Sequence, residues 1–274
     1  MQPLSPTNAS ERETFLDALR GVAILGIFIA NLSGFSWYSD GAGVISSSPY
    51  IIPAWDDGMF FLHQMFLEGK FYSIFSLLFG WGIALQIKRA ASRGIDVLPV
   101  IRRRLFFMLL LGAVHLLMWS GDIVFLYAML GFLLLPFRKL SNKTILIAGF
   151  SLTLLPVFLY IGKAQFPWMD APRNLLIDIG MRLDEKLIDA PITSEKDFSI
   201  YLANADWWQV LKSNVSGFFY RYQYLFFVSR FPKVLGVFLI GFALGRSDFF
   251  QKYKAAYQNR QNNRSCWPAD RLAC

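Results

Sequence analysis

Two histidines and a few carboxylates are the residues in this chain whose types could do chemistry. His63 and His115 are the only histidines. Asp122 follows His115 across the short turn Ser120-Gly121-Asp122. A neutral imidazole can take a proton from a hydroxyl or amine, and a carboxylate can fix its tautomer. His115, Asp122 and His63 could therefore converge as a catalytic group, with Tyr127 and Gly131 following on one helical face. Equally, either histidine could serve only to hydrogen-bond between packed helices. Asp17 and Arg20 also share a helical face. They form either an interfacial ion pair that anchors the helix or a donor or cofactor site.

Other familiar chemistries are missing from the pattern. There is no Gly-rich phosphate loop with its lysine, no dinucleotide fingerprint, no histidine pair at helical spacing and no cysteine cluster. ATP-driven transport and a metal site are therefore not expected, and no tightly bound cofactor is. Cys266 and Cys274 lie in a polar tail. They lack metal-ligand spacing and are assigned no role.

The elements that hold these residues are apolar. Hydrophobic types make up 55% of the chain, charged types only 17%, and mean hydropathy is +0.40. A soluble domain usually carries about 25% charged residues, so lipid is the simplest solvent for the remainder. Apolar runs cover Val22 to Trp37, Phe71 to Ile87, Leu105 to Trp119, Ile123 to Phe137, Thr144 to Ile161 and Val234 to Leu244. The first, preceded by Arg12 and Arg20, competes with a signal peptide. Its length, aromatic content and lack of a clear cleavage site favour an uncleaved helix. The third and fourth form a tight hairpin; each is a little short for a bilayer core, and Arg102, Arg103 and Arg104 could snorkel and let the third begin earlier. Pro156 predicts a kink in the fifth. The piece from Met59 to Leu67 lies in the interface or extends the second helix. Between Gly162 and about Asn214 the chain turns polar, with an amphipathic helix expected near Asn174 to Ile188. Phe218 to Phe227, interrupted by Arg221, reads as interfacial or as a short span. Gly241 and Gly245 carry the spacing that lets membrane helices pack closely.

Loop charges set the orientation. The net charge is +8. Its basic residues gather in short loops, which makes them topology signals rather than a nucleic-acid footprint. Lys88, Arg89, Arg93, Arg102, Arg103 and Arg104 lie between the second and third runs. Arg138, Lys139 and Lys143 lie between the fourth and fifth. Arg246, Lys252 and Lys254 follow the last. These loops are expected in the cytoplasm, whereas Asp40, Asp56, Asp57 and Asp122 mark the outer side. The fold expected is all-α: a polytopic transmembrane helical bundle of about six spans with a cytoplasmic N-terminus. Residues 1–161 form the N-terminal bundle, 162–230 an extracytoplasmic or interfacial segment, 231–250 the start of a C-terminal membrane domain, and 251–274 a polar tail expected to be disordered. Both histidines and Asp122 then fall on the outer side, and the arginine cluster on the inner side.

Several of these stretches resemble the YeiB-like family of bacterial inner-membrane proteins. They are Phe15-Leu16-Asp17-Ala18-Leu19-Arg20-Gly21 leading to Asn31, and the run from Gly69-Lys70-Phe71-Tyr72-Ser73 to Phe79-Gly80. With them go His115 through Gly121-Asp122-Ile123 to Tyr127-Ala128 and Gly131, and Gly241-Phe242-Ala243-Leu244-Gly245-Arg246, which is similar to the start of the family's C-terminal domain of unknown function. The resemblance covers roughly Phe15 to Phe250. That family is similar in turn to membrane acyltransferases that include heparan-alpha-glucosaminide N-acetyltransferase and sugar O-acyltransferases.

The resemblance implies a multi-pass protein of the bacterial plasma membrane that moves an acyl group from cytosolic acyl-CoA to an extracytoplasmic, sugar-like acceptor of the envelope. His115 would be a general base or transient acyl acceptor, and Asp122 would orient it. Arg20 and Arg102, Arg103 and Arg104 would meet the CoA phosphates. Asn31 stands where the sugar O-acyltransferases place a histidine. YeiB-like proteins continue with further membrane helices, so the polar end from Ser265 to Cys274 predicts a truncated chain. Two other functions stay open: a small-solute transporter or channel subunit using His115 and Asp122 as pathway residues, and a non-catalytic membrane protein.

Overall fold

The computed structural model describes residues 14–35, 58, 61–67, 69–190 and 195–247. The polar tail lies outside them, as do Asp40, Asp56 and Asp57. Among the described residues the regular structure is helical throughout, with no strand. The helices are α1 (Thr14–Phe35), α2 (Lys70–Ser92), α3 (Leu98–Met118), α4 (Val124–Leu134), α5 (Asn142–Gln165), α6 (Ala171–Leu187), α7 (Glu195–Asn204), α8 (Trp207–Phe227) and α9 (Arg230–Arg246). A π-helical turn, His63–Leu67, precedes α2.

Three segments are long and apolar enough to cross a membrane: α1, the stretch His63–Ser92 that contains α2, and α5. Together α8 and α9 are also long and apolar enough, but the pair bends by 69° at its junction. The apolar composition is thus matched by three or four candidate spans, judged by length and composition. α3 starts at Leu98, before the run expected from Leu105, because the helix takes in Arg102, Arg103 and Arg104. Its 21 residues rise about 31 Å at 1.5 Å per residue, close to the thickness of a bilayer core. α5 continues through Pro156. Outward faces are apolar, consistent with a lipid surround: Leu25, Phe28, Leu111, Phe150, Leu154 and Phe158 are all exposed. Tyr160, Trp168, Trp207 and Trp208 are exposed near one end, the position of an interfacial aromatic belt.

The core is built around α9. A Cβ on Gly80 would overlap the Phe238 carbonyl, and one on Gly241 would overlap the Leu77 carbonyl. α2 and α9 therefore touch backbone to backbone, running parallel. Gly245 extends the seam onto Trp81 and Ala84. On the opposite side, Gly236 meets Gly149 and Thr153 of α5. Small residues at such crossings let dispersion contacts form where lipid offers no hydrophobic drive.

Contacts also fix the helix directions. Arg20 of α1 lies against Gly82, late in α2, while Gly26 meets Phe71 at its start. Gly112 of α3 packs on Phe125 of α4, and Leu105 on Gly131. Asn142 reaches the Ala243 carbonyl, whereas Lys163 at the other end of α5 reaches the start of α9. The starts of α1, α3 and α5 thus share one end of the bundle with the finishes of α2, α4 and α9.

The segment expected to be polar and outside the bundle contains α6, α7 and half of α8. α6 falls where an amphipathic helix was expected. α8 is longer than the Phe218 to Phe227 run. It begins at a capping box in which Asp206 accepts from the Gln209 N–H and the Gln209 side chain accepts from the Asp206 N–H. α6 is pinned to α8 by the Tyr220 hydroxyl, which donates to Asp184 at 2.5 Å, and by Arg173, which donates to Gln223 at 3.2 Å.

The glycine seam sets an expected result for stability. Gly241→Val should destabilise the detergent-solubilised protein by about 1–3 kcal/mol, because the added groups must separate α2 from α9. Gly21→Ala, where nothing lies within 4 Å of the added carbon, should leave the thermal midpoint unchanged or higher. Equal melting of the two variants would disprove the close-approach account.

Candidate functional site

The α3–α4 hairpin brings His115 and Asp122 together. The backbones approach closely because Gly112 offers no Cβ against Phe125, and Gly121 leaves room for the Trp119 indole. His115 Nδ1 lies 2.6 Å from Asp122 Oδ1. Asp122 Oδ2 accepts from the Phe125 N–H at 2.7 Å. One carboxylate thus does two things: it satisfies a free amide at the start of α4 and it holds the imidazole. The Asp122 side chain is 0% exposed and that of His115 is 48% exposed. With the carboxylate accepting from Nδ1–H, the neutral ring keeps Nε2 as a free acceptor. The Trp119 ring stands edge-on to the imidazole, 5.8 Å between centroids. A buried orienting carboxylate beside a half-exposed imidazole is an arrangement that can hold a base in position.

The other histidine takes a different partner. His63 sits on the π-helical turn, and its Nε2 is 3.2 Å from the Ala30 carbonyl of α1. It ties the approach to α2 onto α1 rather than bonding to Asp122. Asn31, beside Ala30, donates to the Ile27 carbonyl one turn back. Tyr127 is fully buried, ringed by Phe75, Phe79 and Phe238. Its hydroxyl donates to the Tyr72 carbonyl at 2.9 Å and meets Ser76 Oγ at 2.6 Å. That geometry locks α4 against α2 and leaves no reach toward His115.

At the opposite end of the bundle, Arg20 pairs with Asp17 at 2.7 Å. Its guanidinium lies over Gly82. One turn on, Gln86 donates to the Gly82 carbonyl and accepts from Arg104 at 2.6 Å. Arg20 and Arg104 thus come from different helices to adjacent turns of α2. Arg102 and Arg103 are exposed on the first turns of α3. Arg246 donates to the Leu140 carbonyl at 2.8 Å, closing the same end.

Groups not singled out by motif line the first end. Asn214 of α8 donates to the Leu117 and Met118 carbonyls, satisfying the last turn of α3 below His115. Lys163 of α5 donates to the Phe226 and Phe227 carbonyls at 2.7 and 3.0 Å, where α8 breaks into α9. Arg221, Arg230 and Lys233 flank the same break. The only signal for them was three cations around Tyr224 in an otherwise aromatic stretch.

Comparisons with known proteins agree with the sequence motifs. The chain is similar to YxaH of Bacillus subtilis, 40% identical over 159 residues, which is 57% of this chain and 40% of YxaH. It is also similar to a 39.9 kDa protein of the amylase 3' region in Bacillus acidopullulyticus, 35% identical over 60% of this chain and 44% of that one. Escherichia coli YeiB is 34% identical over 44% of this chain and 30% of its own length. All three are described as uncharacterised proteins. The chain spans less than half the length of these relatives. No family model matches it, and no solved structure does. The likeness is to YeiB and YxaH proteins, over part of each.

The His115 geometry is open to a direct check. In a His63→Gln background, nitrogen-15 imidazole spectra at alkaline pH should show the Nδ1–H tautomer. Asp122→Asn should redistribute it. Asp122→Ala should also lose the amide cap, at a cost of about 1 kcal/mol. An unchanged tautomer in Asp122→Asn would mean the carboxylate does not orient the ring.

Proposed function

We propose that this chain is a YeiB-like protein of the bacterial plasma membrane that transfers an acyl group from cytosolic acyl-CoA to an extracytoplasmic acceptor. The observation that carries this reading is the buried Asp122 carboxylate, 2.6 Å from Nδ1 of a half-exposed His115. His115 Nε2 takes a proton from the acceptor hydroxyl or amine as that oxygen or nitrogen bonds the acyl carbon. The thioester C–S bond breaks, and the proton ends on the CoA sulfur. Asp122 keeps the acceptor nitrogen in the right tautomer and offsets the imidazolium charge. Arg20 and Arg104, brought to neighbouring turns of α2, are the groups for the CoA phosphates, with Arg102 and Arg103 beside them.

The membrane topology belongs to this proposal. α1, α2, α3, α4, α5 and α9 each cross, giving about six spans from a cytoplasmic N-terminus. Support comes from their alternating directions and from the short basic loops, with Arg104 and Arg246, at the end away from His115. His115 and Asp122 then face outward, and the envelope glycan acceptor meets them there. A second reading, a proton-coupled solute carrier, has one observation of its own. The α8–α9 helix pair is broken near charged groups, as in transporter sites.

One experiment tests the topology and a second separates the two readings. With Cys266 and Cys274 replaced by serine, Trp208→Cys should react with a membrane-impermeant maleimide on intact cells, and Arg103→Cys only after lysis. Labelling of both from outside would remove the topology. Radiolabelled acetyl-CoA should acylate a membrane acceptor in the presence of the wild-type protein. His115→Ala should lower that rate about 100-fold or more, and Asp122→Asn should lower it less. Solute uptake without acyl transfer would favour the carrier.

A further inference from the structure

At the end of the bundle that carries His115, α2, α8 and α9 gather three cations around two tyrosines. The Arg230 guanidinium carbon lies 4.8 Å from the Tyr72 ring centroid, and Lys233 Nζ lies 5.5 Å from the same ring. Arg230 is also 5.8 Å from the Tyr224 ring, and Arg221 is 6.0 Å from it. Cations and rings therefore alternate: Arg221, Tyr224, Arg230, Tyr72, Lys233. Arg221 Nε is shut away from solvent and has no hydrogen-bond partner. Among the described residues, no salt bridge engages Arg221, Arg230 or Lys233. The charge of Arg230 acts against that of Arg221. The carboxylate whose charge reaches Arg221 is Asp122, and both of its oxygens are already committed to His115 and the Phe125 amide.

Like charges do not gather at a low-dielectric boundary without compensation. The tyrosine faces supply part of it, since an aromatic quadrupole attracts cations. An anion would supply the rest. Two guanidiniums sharing one ring present planar donor forks, which suit phosphate oxygens better than a point charge would.

We propose that Arg221, Arg230 and Lys233 form an anion site that takes a phosphate-bearing polar group at this end of the bundle. As a binding site it stands on its own geometry. Joined to acyl transfer, it gives the acceptor a phosphate beside the group that His115 deprotonates, and that second statement rests on the proposed function.

The test is binding, read without any transfer assay. Native mass spectrometry of the full chain in detergent compares phosphatidylglycerol with phosphatidylcholine of the same acyl chains. Thermal unfolding reads the response to inorganic phosphate, with chloride at equal ionic strength as reference. Retention of phosphatidylglycerol over phosphatidylcholine identifies a lipid headgroup as the source. Stabilisation by phosphate alone identifies a soluble one, and both responses together show that the phosphate group itself is recognised. Arg221→Gln and Arg230→Gln should each weaken the responding ligand at least tenfold, while Lys212→Gln on the exposed side of α8 should not. If Arg221→Gln fails to fold, Arg230→Gln and Lys233→Gln carry the comparison. Neither ligand binding to the wild type, or equal binding by the folded variants, would overturn the site. If the site binds but acetyl transfer is absent, the acyl-transfer reading alone falls.

Discussion

Backbone-to-backbone contact between α2 and α9 is the constraint on which the other features rest. The carbonyls of Leu77 and Phe238 occupy the space where side chains of Gly241 and Gly80 would begin. In lipid there is little hydrophobic reward for bringing helices together, so the gain must come from close packing. Three glycines in α9, Gly236, Gly241 and Gly245, permit it on two sides at once. With α9 held between α2 and α5, Phe238 reaches the Tyr127 and Phe79 rings, and Tyr127 fastens α4. The hairpin that carries His115 and Asp122 hangs from that buried tyrosine.

The outer elements solve a second problem, the unpaired backbone groups left where helices stop. Asn214 covers the last carbonyls of α3, Asp122 covers an amide of α4, and Lys163 covers the carbonyls exposed at the α8–α9 bend. Each partner comes from a polar side chain within or beside an apolar segment. Such groups are costly in lipid unless they are bonded, and here each has a backbone group to serve. The polar residues that look like candidates for chemistry therefore divide by what they hold. Tyr127, Asn31 and His63 are occupied by backbone carbonyls, whereas His115 retains an accessible nitrogen.

Much of this could be read before any coordinates. His115 and Asp122 were legible as a pair because a tight hairpin between two apolar runs leaves them nowhere else to go. α6 was legible from its alternation of charged and apolar faces. The start of α3 was legible in part: snorkelling by Arg102 to Arg104 allows the helix to begin before Leu105, but nothing in the apolar pattern marks Leu98 as the first residue. The sequence marks only the second half of α8, because the first half, with Gln209, Lys212, Ser213 and Asn214, lacks apolar periodicity. Its capping box was the available marker. The cluster of Arg221, Arg230 and Lys233 depends on a sharp turn at Ser229, which takes a left-handed conformation at φ 50° without being glycine. Nothing local in the sequence announces that turn. The Ala30 partner of His63 is likewise a long-range contact that no spacing encodes.

The double duty of Asp122 has a consequence for comparing relatives. One of its oxygens secures the start of α4 and the other steers an imidazole. A descendant that had abandoned chemistry would still be under pressure to keep the carboxylate, because losing it would loosen the hairpin. His115 has no such second employment: its outward nitrogen supports no other element among the described residues. A lineage with the aspartate and without the histidine would keep the hairpin and lose the accessible nitrogen. The histidine, not the aspartate, is the residue whose presence would report on the proposed chemistry.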